Sequence, residues 1–466
     1  MSRHEGYGPD YGPDPRHLTL GPAFYDPVEP ASFPAHVLRH RNDRAAREVG
    51  LAGLDDDRWI DHFGRFEPLA GNLEQPLALR YHGHQFRHYN PDLGDGRGFL
   101  FAQVRDSAGR LLDLGTKGSG TTPYSRAGDG RLTLKGAVRE LLASELLEAR
   151  GVPTSRTYSI VETGESLWRG DEPSPTRSAV LVRLSHSHVR IGTFQRLAHE
   201  GDRANIGRLV AYCGETYGLG DGDPVRFLDA VTTRVAGMGA AWWAAGFVHG
   251  VLNTDNINVT GESFDYGPWR FLEEYDPSHV AAYFDQTGLY AFARQPEALA
   301  WNLARLAECL LAWDERPHDA LVEVLEGFPT RFEAALTART EARLGLTDEG
   351  TNEPDRRELV RAFYAVLRET RHPHERAFFD LQGGADPARI ARSPLRERYA
   401  ADAWKDVLAM LRSRPTRPVP DPDEPVTMDH DEVEAIWTAI ADGDDWSVLR
   451  AKLARIEALI DAYNRA

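Results

Sequence analysis

Residues 247–267 read FVHGVLNTDNINVTGESFDYG, and the fold of the chain turns on how this stretch is understood. It begins apolar at Phe247-Val248, turns through His249-Gly250 and reaches Asn253-Thr254-Asp255-Asn256. An alternating run, 257–264, follows and ends at Asp265-Tyr266-Gly267. The alternation predicts a short hairpin-like connection with Asn256 before it and Asp265 after it. Amide and carboxylate oxygens brought together in this way suit a hard cation such as Mg²⁺. That ion keeps several waters and takes one or two protein ligands beside substrate phosphates. Asn256 and Asp265 are therefore candidate metal ligands, with Asp255 an acid beside them.

The totals bound what such a site could belong to. The chain has 466 residues, 41% of them hydrophobic and 10% aromatic, which describes a folded protein of two or three units. A formal charge of −17 argues against a general nucleic-acid binder, whose footprint is basic. Lys117, Lys135, Lys405 and Lys452 are the only lysines among 54 basic residues, so nearly every cation is an arginine. Two cysteines, Cys213 and Cys309, cannot build a disulfide framework or a zinc site of their own, and two reduced thiols are expected. The first residues, MSRHEGYGPDYGPDPRH, have the pattern of neither a signal nor a transit peptide, and no apolar stretch approaches the roughly 20 residues of a membrane span. A cytoplasmic enzyme with no membrane partner is the expectation.

Outward from the central stretch, 203–219 and 224–246 read as helices leading into it, and 297–313, 330–344 and 356–371 as helices after it. The Pro/Asp-rich run 414–425 reads as linker, and 431–442 with 446–463 as a closing helical pair. Toward the N-terminus the pattern changes. The runs 98–104, 111–116, 157–162 and 178–184 predict strands. Leu134, Val138, Leu141, Leu142 and Leu146 predict an amphipathic helix over 133–150, stopped by Gly151 and Pro153. The expected organisation is a loose arm at 1–30, a nucleotide-binding lobe at 31–192, a helical lobe carrying the metal loop at 193–413, and a linker with helices at 414–466. The fold class is α+β in two lobes, β-containing first and mostly helical second.

Further candidates lie in the first lobe. The turn Leu93-Gly94-Asp95-Gly96-Arg97 enters a strand, an arrangement whose backbone N–H groups can approach phosphates. It falls short of the dinucleotide fingerprint, and no GxxxxGK[ST] sequence is present. Lys117 ends a strand and is followed by a polar loop and Asp129-Gly130-Arg131. Glu140 lies on the next helix, off its main apolar stripe. A strand Lys followed by a helix Glu is the order of the kinase ion pair, while a surface Glu is the plainer reading; the residues alone leave both open. Arg183 and Arg190 could grip phosphate oxygens. The histidines of 81–88, YHGHQFRH, have no Cys or acid at zinc spacing and read as hydrogen-bonding structural residues.

TPYSR at 122–126, HGVLNTDN at 249–256 and DYGP at 265–268, in this order, form a specific combination. With 81–86, 93–97, 139–140, 183–194 and, more weakly, FDLQGG at 379–384, they identify the chain as resembling the SelO (YdiU-type) protein adenylyltransferases across about residues 75–385. The resemblance implies a protein-kinase-like fold that binds ATP flipped, so that AMP passes to a protein Ser, Thr or Tyr hydroxyl. It implies Asp255 as proton acceptor, Asn256 and Asp265 as ligands of Mg²⁺ or Mn²⁺, and Glu140 as partner of Lys117. Gly94, Gly96, Arg97, Lys117, Asp129, Gly130, Arg183 and Arg190 would hold the nucleotide, together with Asp265. Val251 stands where a kinase keeps its base, in accord with that chemistry. Gln103 departs from the family, which has an acidic residue there. The other readings are a non-catalytic ATP-binding pseudokinase scaffold, a uridylyltransferase using UTP, and an ordinary phosphotransferase.

Overall fold

The strand Thr176–Ser185 is buried almost throughout, because its alternate residues enter two different cores. Val180 and Val182 join Trp59, Phe63, Phe101 and Tyr158 on one face, while Ala179 and Leu181 join the helix Leu134–Ala149 on the other. Period-2 alternation between two apolar layers gives a continuous hydrophobic run. In the computed structural model, which describes residues 6–170, 172–419 and 423–465, this strand lies at the centre of an antiparallel sheet. The order across the sheet is Tyr25–Pro27, Leu77–Leu79, Leu100–Arg105, Leu111–Lys117, Thr176–Ser185, Arg156–Leu167 and Val37–Arg41. Leu132–Thr133 pairs with Thr176–Ser185 and leads directly into the helix Leu134–Ala149, where the Thr133 side chain accepts from Gly136 N as N-cap.

That helix has almost no solvent face. The sheet packs on one side and the C-terminal helix Ser447–Arg465 on another, so Glu140, read from sequence as lying off the apolar stripe, is 3% exposed. Beyond the sheet the chain is helical. Arg203–Tyr217 and Pro224–Ala245 each end at a left-handed glycine, Gly218 and Gly246, the conformation that closes a helix by satisfying its last carbonyls. Gln295–Trp313, Phe328–Leu344 and Glu353–Thr370 follow. The chain is thus α+β, with an antiparallel sheet region followed by a helical region. Cys213 and Cys309 are free and buried. Among the described residues, no helix is long and apolar enough to cross a membrane.

Two expectations fail. The run 257–264 is not a hairpin: Asn258 bridges to Arg190 and Ser263 to Thr154 instead. Phe247–Val248 pairs with Arg270–Phe271, just past the stretch, and polar and apolar residues of the run alike are buried, docked on two separate segments. Nor is the N-terminal segment loose where it is described, from Gly6 to Pro30. Gly12–Pro13 and Tyr25–Pro27 add to the sheet, and Leu20 and Phe24 are 1% and 2% exposed. Glycine and proline there set turns between apolar anchors. Residues 1–5 of that segment and 420–422 of the expected linker lie outside the described residues.

Candidate active site

The end of strand Leu111–Lys117 carries the lysine into the space between sheet and helices. Lys117 Nζ lies 2.6 Å from Glu140 Oε2 and 3.5 Å from Asp265 Oδ1. Arg183, from the neighbouring strand, donates from Nη1 to Asp265 Oδ1 at 2.5 Å, and Arg190 Nη1 is 3.6 Å from Asp265 Oδ2. Burial alone would raise the Asp265 carboxyl, but Arg183, Lys117 and Arg190 together hold it well below the usual carboxylate range. Arg190 is fixed from several sides: its guanidinium stacks 4.2 Å from the Tyr81 ring centroid and 5.0 Å from that of Phe264, and Nη2 donates to Asp95 Oδ1 at 3.3 Å.

A hydrogen-bonded relay aims Arg183. Its Nε donates to His188 Nε2 at 3.2 Å, so the ring proton is on Nδ1 and is given to Asp113 Oδ2 at 3.1 Å. Asp113 Oδ1 in turn accepts from Gln103 Nε2 at 2.7 Å, and Gln103 Oε1 accepts from the backbone N–H of His17 at 2.6 Å. An amide serves both partners at once, whereas an ionised carboxylate could not donate to Asp113. This is the structural sense of glutamine at 103.

Asp255 occupies the 3-10 turn Thr254–Asn256. It is 8% exposed, and Oδ1 is buried with no hydrogen-bond partner among the described residues. Burial pushes its carboxyl up to about 6, against the opposing pull of Arg190. The turn is clamped by the hairpin Gly83–Gln85/His88–Asn90: Thr254 Oγ1 accepts from His84 N at 2.7 Å, and Asn253 Oδ1 from Phe86 N at 2.9 Å. Gly83 is required there, since a Cβ would lie 2.8 Å from Asp255 Oδ1. Below, His249 Nε2 meets the carbonyl of Phe264 at 2.9 Å, fixing the backbone just before Asp265. Tyr81, Asp95, Lys117, Arg183, Arg190, Asp255 and Asp265 face one cavity of about 710 Å³, within the range of small-molecule sites.

The comparisons with known proteins agree along nearly the whole chain. Residues 11–457 match the family model described as "Protein adenylyltransferase SelO". The chain is 42% identical over 471 residues to the "Protein nucleotidyltransferase YdiU" of Synechocystis sp., covering 96% of this chain and 98% of that protein. It is 44% identical over 472 residues to the protein of the same name from Gloeobacter violaceus, with 95% and 94% covered. This chain belongs to the SelO family. It is a nucleotidyltransferase enzyme with the kinase-like α+β fold of the SelO proteins.

Every residue expected to hold nucleotide or metal in this SelO protein lines that one cavity, as does Asp255, while Glu140 stands behind Lys117. Their immediate roles differ. Gly94 and Gly96 are glycines because Tyr124 lies on them: a Cβ would meet its ring at 2.3 Å and its carbonyl at 2.8 Å. Asp129 is exposed and paired with Arg169, Nη1 to Oδ2 at 2.9 Å. Gly130 has φ +70°, and a Cβ would collide with Gly120. Arg97 is exposed at the cavity rim. Sequence reasoning assigned no role to Tyr81, Asp95, Arg126 or the Asp113–His188 relay. Tyr81, Asp95, Arg126 and His188 stood inside quoted motifs; the first three line the cavity, and the cavity side of each motif would have been their signal.

Nucleotidyl transfer in this family implies a divalent ion, and the donor set fits one. Asn256 spends its Nδ2 on the carbonyl of Val251 at 3.1 Å, which leaves its amide oxygen available to a cation, and Asp265 would add a carboxylate that Arg183, Lys117 and Arg190 hold well below the usual range. The surrounding cations make the fit depend on phosphates arriving with the ion. Among the described residues no cluster of three or more His, Cys, Asp or Glu forms a metal site.

Proposed function

We propose that this protein transfers the AMP moiety of ATP to Ser, Thr or Tyr hydroxyls of other proteins, releasing pyrophosphate. The observation that carries the reading is the union, in one cavity, of seven cationic side chains with a carboxylate, Asp255, that is buried and whose Oδ1 has no hydrogen-bond partner among the described residues. The target hydroxyl oxygen forms a bond to the α-phosphorus as the bond from that phosphorus to its bridging oxygen breaks. The hydroxyl proton passes to Asp255, and the electron pair leaves with pyrophosphate. Lys117, Arg183 and Arg190 stabilise the charge that accumulates on the phosphate oxygens. Gly94, Gly96, Arg97, Asp129 and Gly130 contact the rest of the nucleotide. Asn256 and Asp265 hold the divalent ion, Mg²⁺ or Mn²⁺, which when bound neutralises phosphate charge.

ATP labelled separately on the α- and γ-phosphate tests this. Label on protein from the α position is expected. Label from γ only would make the protein a phosphotransferase, and nucleotide binding without label a scaffold. UTP labelled on its α-phosphate decides the base. Lys117→Ala should lower α-label incorporation about 10²–10³-fold through loss of a charge contact in the transition state, and Asp265→Ala should abolish it together with its metal dependence.

A further inference from the structure

The nucleotide cavity opens past Lys117 into a second groove, between the helix Leu134–Ala149 and the segment 266–284. Arg97, Lys117, Gly267 and Pro268 line both. Two guanidiniums meet in the groove with no carboxylate partner within 4 Å among the described residues. Arg139 Nη2 and Arg270 Nη1 donate to the same carbonyl, that of Trp269, at 3.3 and 2.9 Å. Lys135, also in the groove, pairs with Glu434 at 2.7 Å; Arg139 and Arg270 have no such pair, although Glu434 attracts both from farther off. The groove's lining of Arg97, Lys117, Arg131, Lys135, Arg139, Arg169 and Arg270 against Glu140, Glu172 and Glu434 stays cationic. Two cations sharing one neutral acceptor repel each other. Burial, and then the charge of Arg270, bring Arg139 down to about 10 against the opposing pull of Glu434, and an arriving anion would favour its charged form further.

At the groove's edge stand two large exposed aromatics, Tyr283 and Phe284, 81% and 47% exposed, their ring centroids 5.1 Å apart. Exposed aromatics flanked by arginine are the composition of a protein-recognition surface. They also connect to the reacting centre. Phe284 contacts Phe86 at 5.9 Å, and Phe86 N donates to Asn253 of the turn that carries Asp255. Tyr290, six residues past Phe284, donates from its hydroxyl to the same Asn253 oxygen at 2.9 Å.

We infer that this groove docks an acidic, extended segment of the protein substrate. Carboxylates of the segment lie on Arg139 and Arg270 and its apolar side chains on Tyr283 and Phe284, so that a neighbouring hydroxyl reaches Asp255. The inference rests on the protein-directed reading above and names the class of sequence that reading leaves open. For a chain of net charge −17, a local cationic groove is what lets an acidic partner approach, and its grip weakens with salt.

Fluorescent peptides with one Tyr in acidic, neutral or basic surroundings, and a single-stranded oligonucleotide, test this by equilibrium anisotropy on the full chain, without catalysis. The acidic peptide should bind at least about tenfold tighter than the others at low salt. Arg270→Glu should erase that preference, and Tyr283→Ala, at a position too exposed to unfold the protein, should weaken binding several-fold. ATP affinity should stay unchanged in both. Equal binding of all peptides, preference for the basic peptide or the oligonucleotide, or unaltered binding by both variants would overturn the inference. Acidic-peptide binding that passes these tests without AMP transfer to the peptide or to any protein would instead sink the proposed reaction and leave the groove standing.

Discussion

Asp255 is caught between two local demands: burial beneath the hairpin, with Gly83 opening space for its Oδ1, and the cations across the cavity. If it only shaped the turn, an amide would serve nearly as well, since Asp and Asn both favour such positions. As the proton acceptor it has no such substitute. Asp255→Asn is therefore expected to slow AMP transfer by about 10²–10⁴ with ATP affinity near wild type, read by single-turnover labelling beside nucleotide binding; near-normal transfer would remove the assigned role. At this scale the sequence was legible where chemistry and order coincide. A rare lysine ending a strand, followed by a helix glutamate, left a pair and a surface glutamate both open until the family resemblance favoured the pair, which stands 2.6 Å apart. The relay from His17 through Gln103, Asp113 and His188 to Arg183 was not legible. Its members are ordinary residue types, and only the sheet brings them together.

The hairpin Gly83–Gln85/His88–Asn90 shows what an element contributes beyond its own residues. Of the histidines of 81–88, His88 is exposed and two hydrogen-bond as expected: His82 Nδ1 meets Tyr89 Oη at 2.7 Å, and His84 Nδ1 meets Gln195 Nε2 at 2.7 Å. Their larger effect is to hold the Asp255 turn through Thr254, which accepts from His84 N and donates to Gln195 Oε1 at 2.5 Å. Thr254→Val keeps the shape and strands both partners, a cost of about 1–3 kcal/mol. Urea unfolding should register that loss and labelling should fall with it, while Thr254→Ser restores both. If transfer is unchanged when stability drops, the hairpin does not position the turn. Strands such as Thr176–Ser185 were legible because two apolar layers impose a continuous run. The alternation of 257–264 was misleading because its polar members are buried too: Asn258, Thr260 and Ser263 are 0%, 6% and 1% exposed, in a run docked on other segments and not turned to water. The arm from Gly6 to Pro30 was hidden by its Gly and Pro content, which suits a strand edge as readily as a loose end.

Across the whole molecule, burial leaves several histidines neutral. His17, His40, His82, His186 and His372 are each brought down to about 4, burial being the largest cause in every case. Between the ordinary value near 6.5 and about 4, the unfolded chain binds protons that the folded chain does not. Stability is therefore fully present above pH 6.5 and lost as pH falls. Buried carboxyls act oppositely: Glu145 and Glu262 are raised to about 7 and Asp255 to about 6, so for them the folded state is the better proton binder in the same window. The histidines outnumber them, and the urea midpoint should fall from pH 7.5 to pH 5. One residue isolates the cause. His17 is 4% exposed, set between Tyr25 and Tyr212 with its Nε2 unpartnered, and it anchors the N-terminal segment to Gln103. Its displacement from 6.5 to about 4 corresponds to a loss on the order of 2 kcal/mol at pH 5. Replacing the ring by leucine removes the titration while the carboxyl contributions stay in place, so the difference between the two proteins' pH slopes belongs to His17 alone. The His17→Leu protein should lose less stability than the wild type between pH 7.5 and pH 5, by about that amount. Parallel slopes would mean that the segment from Gly6 to Pro30 opens to water on acidification without the rest of the sheet, and the histidine then titrates as it would in the unfolded chain.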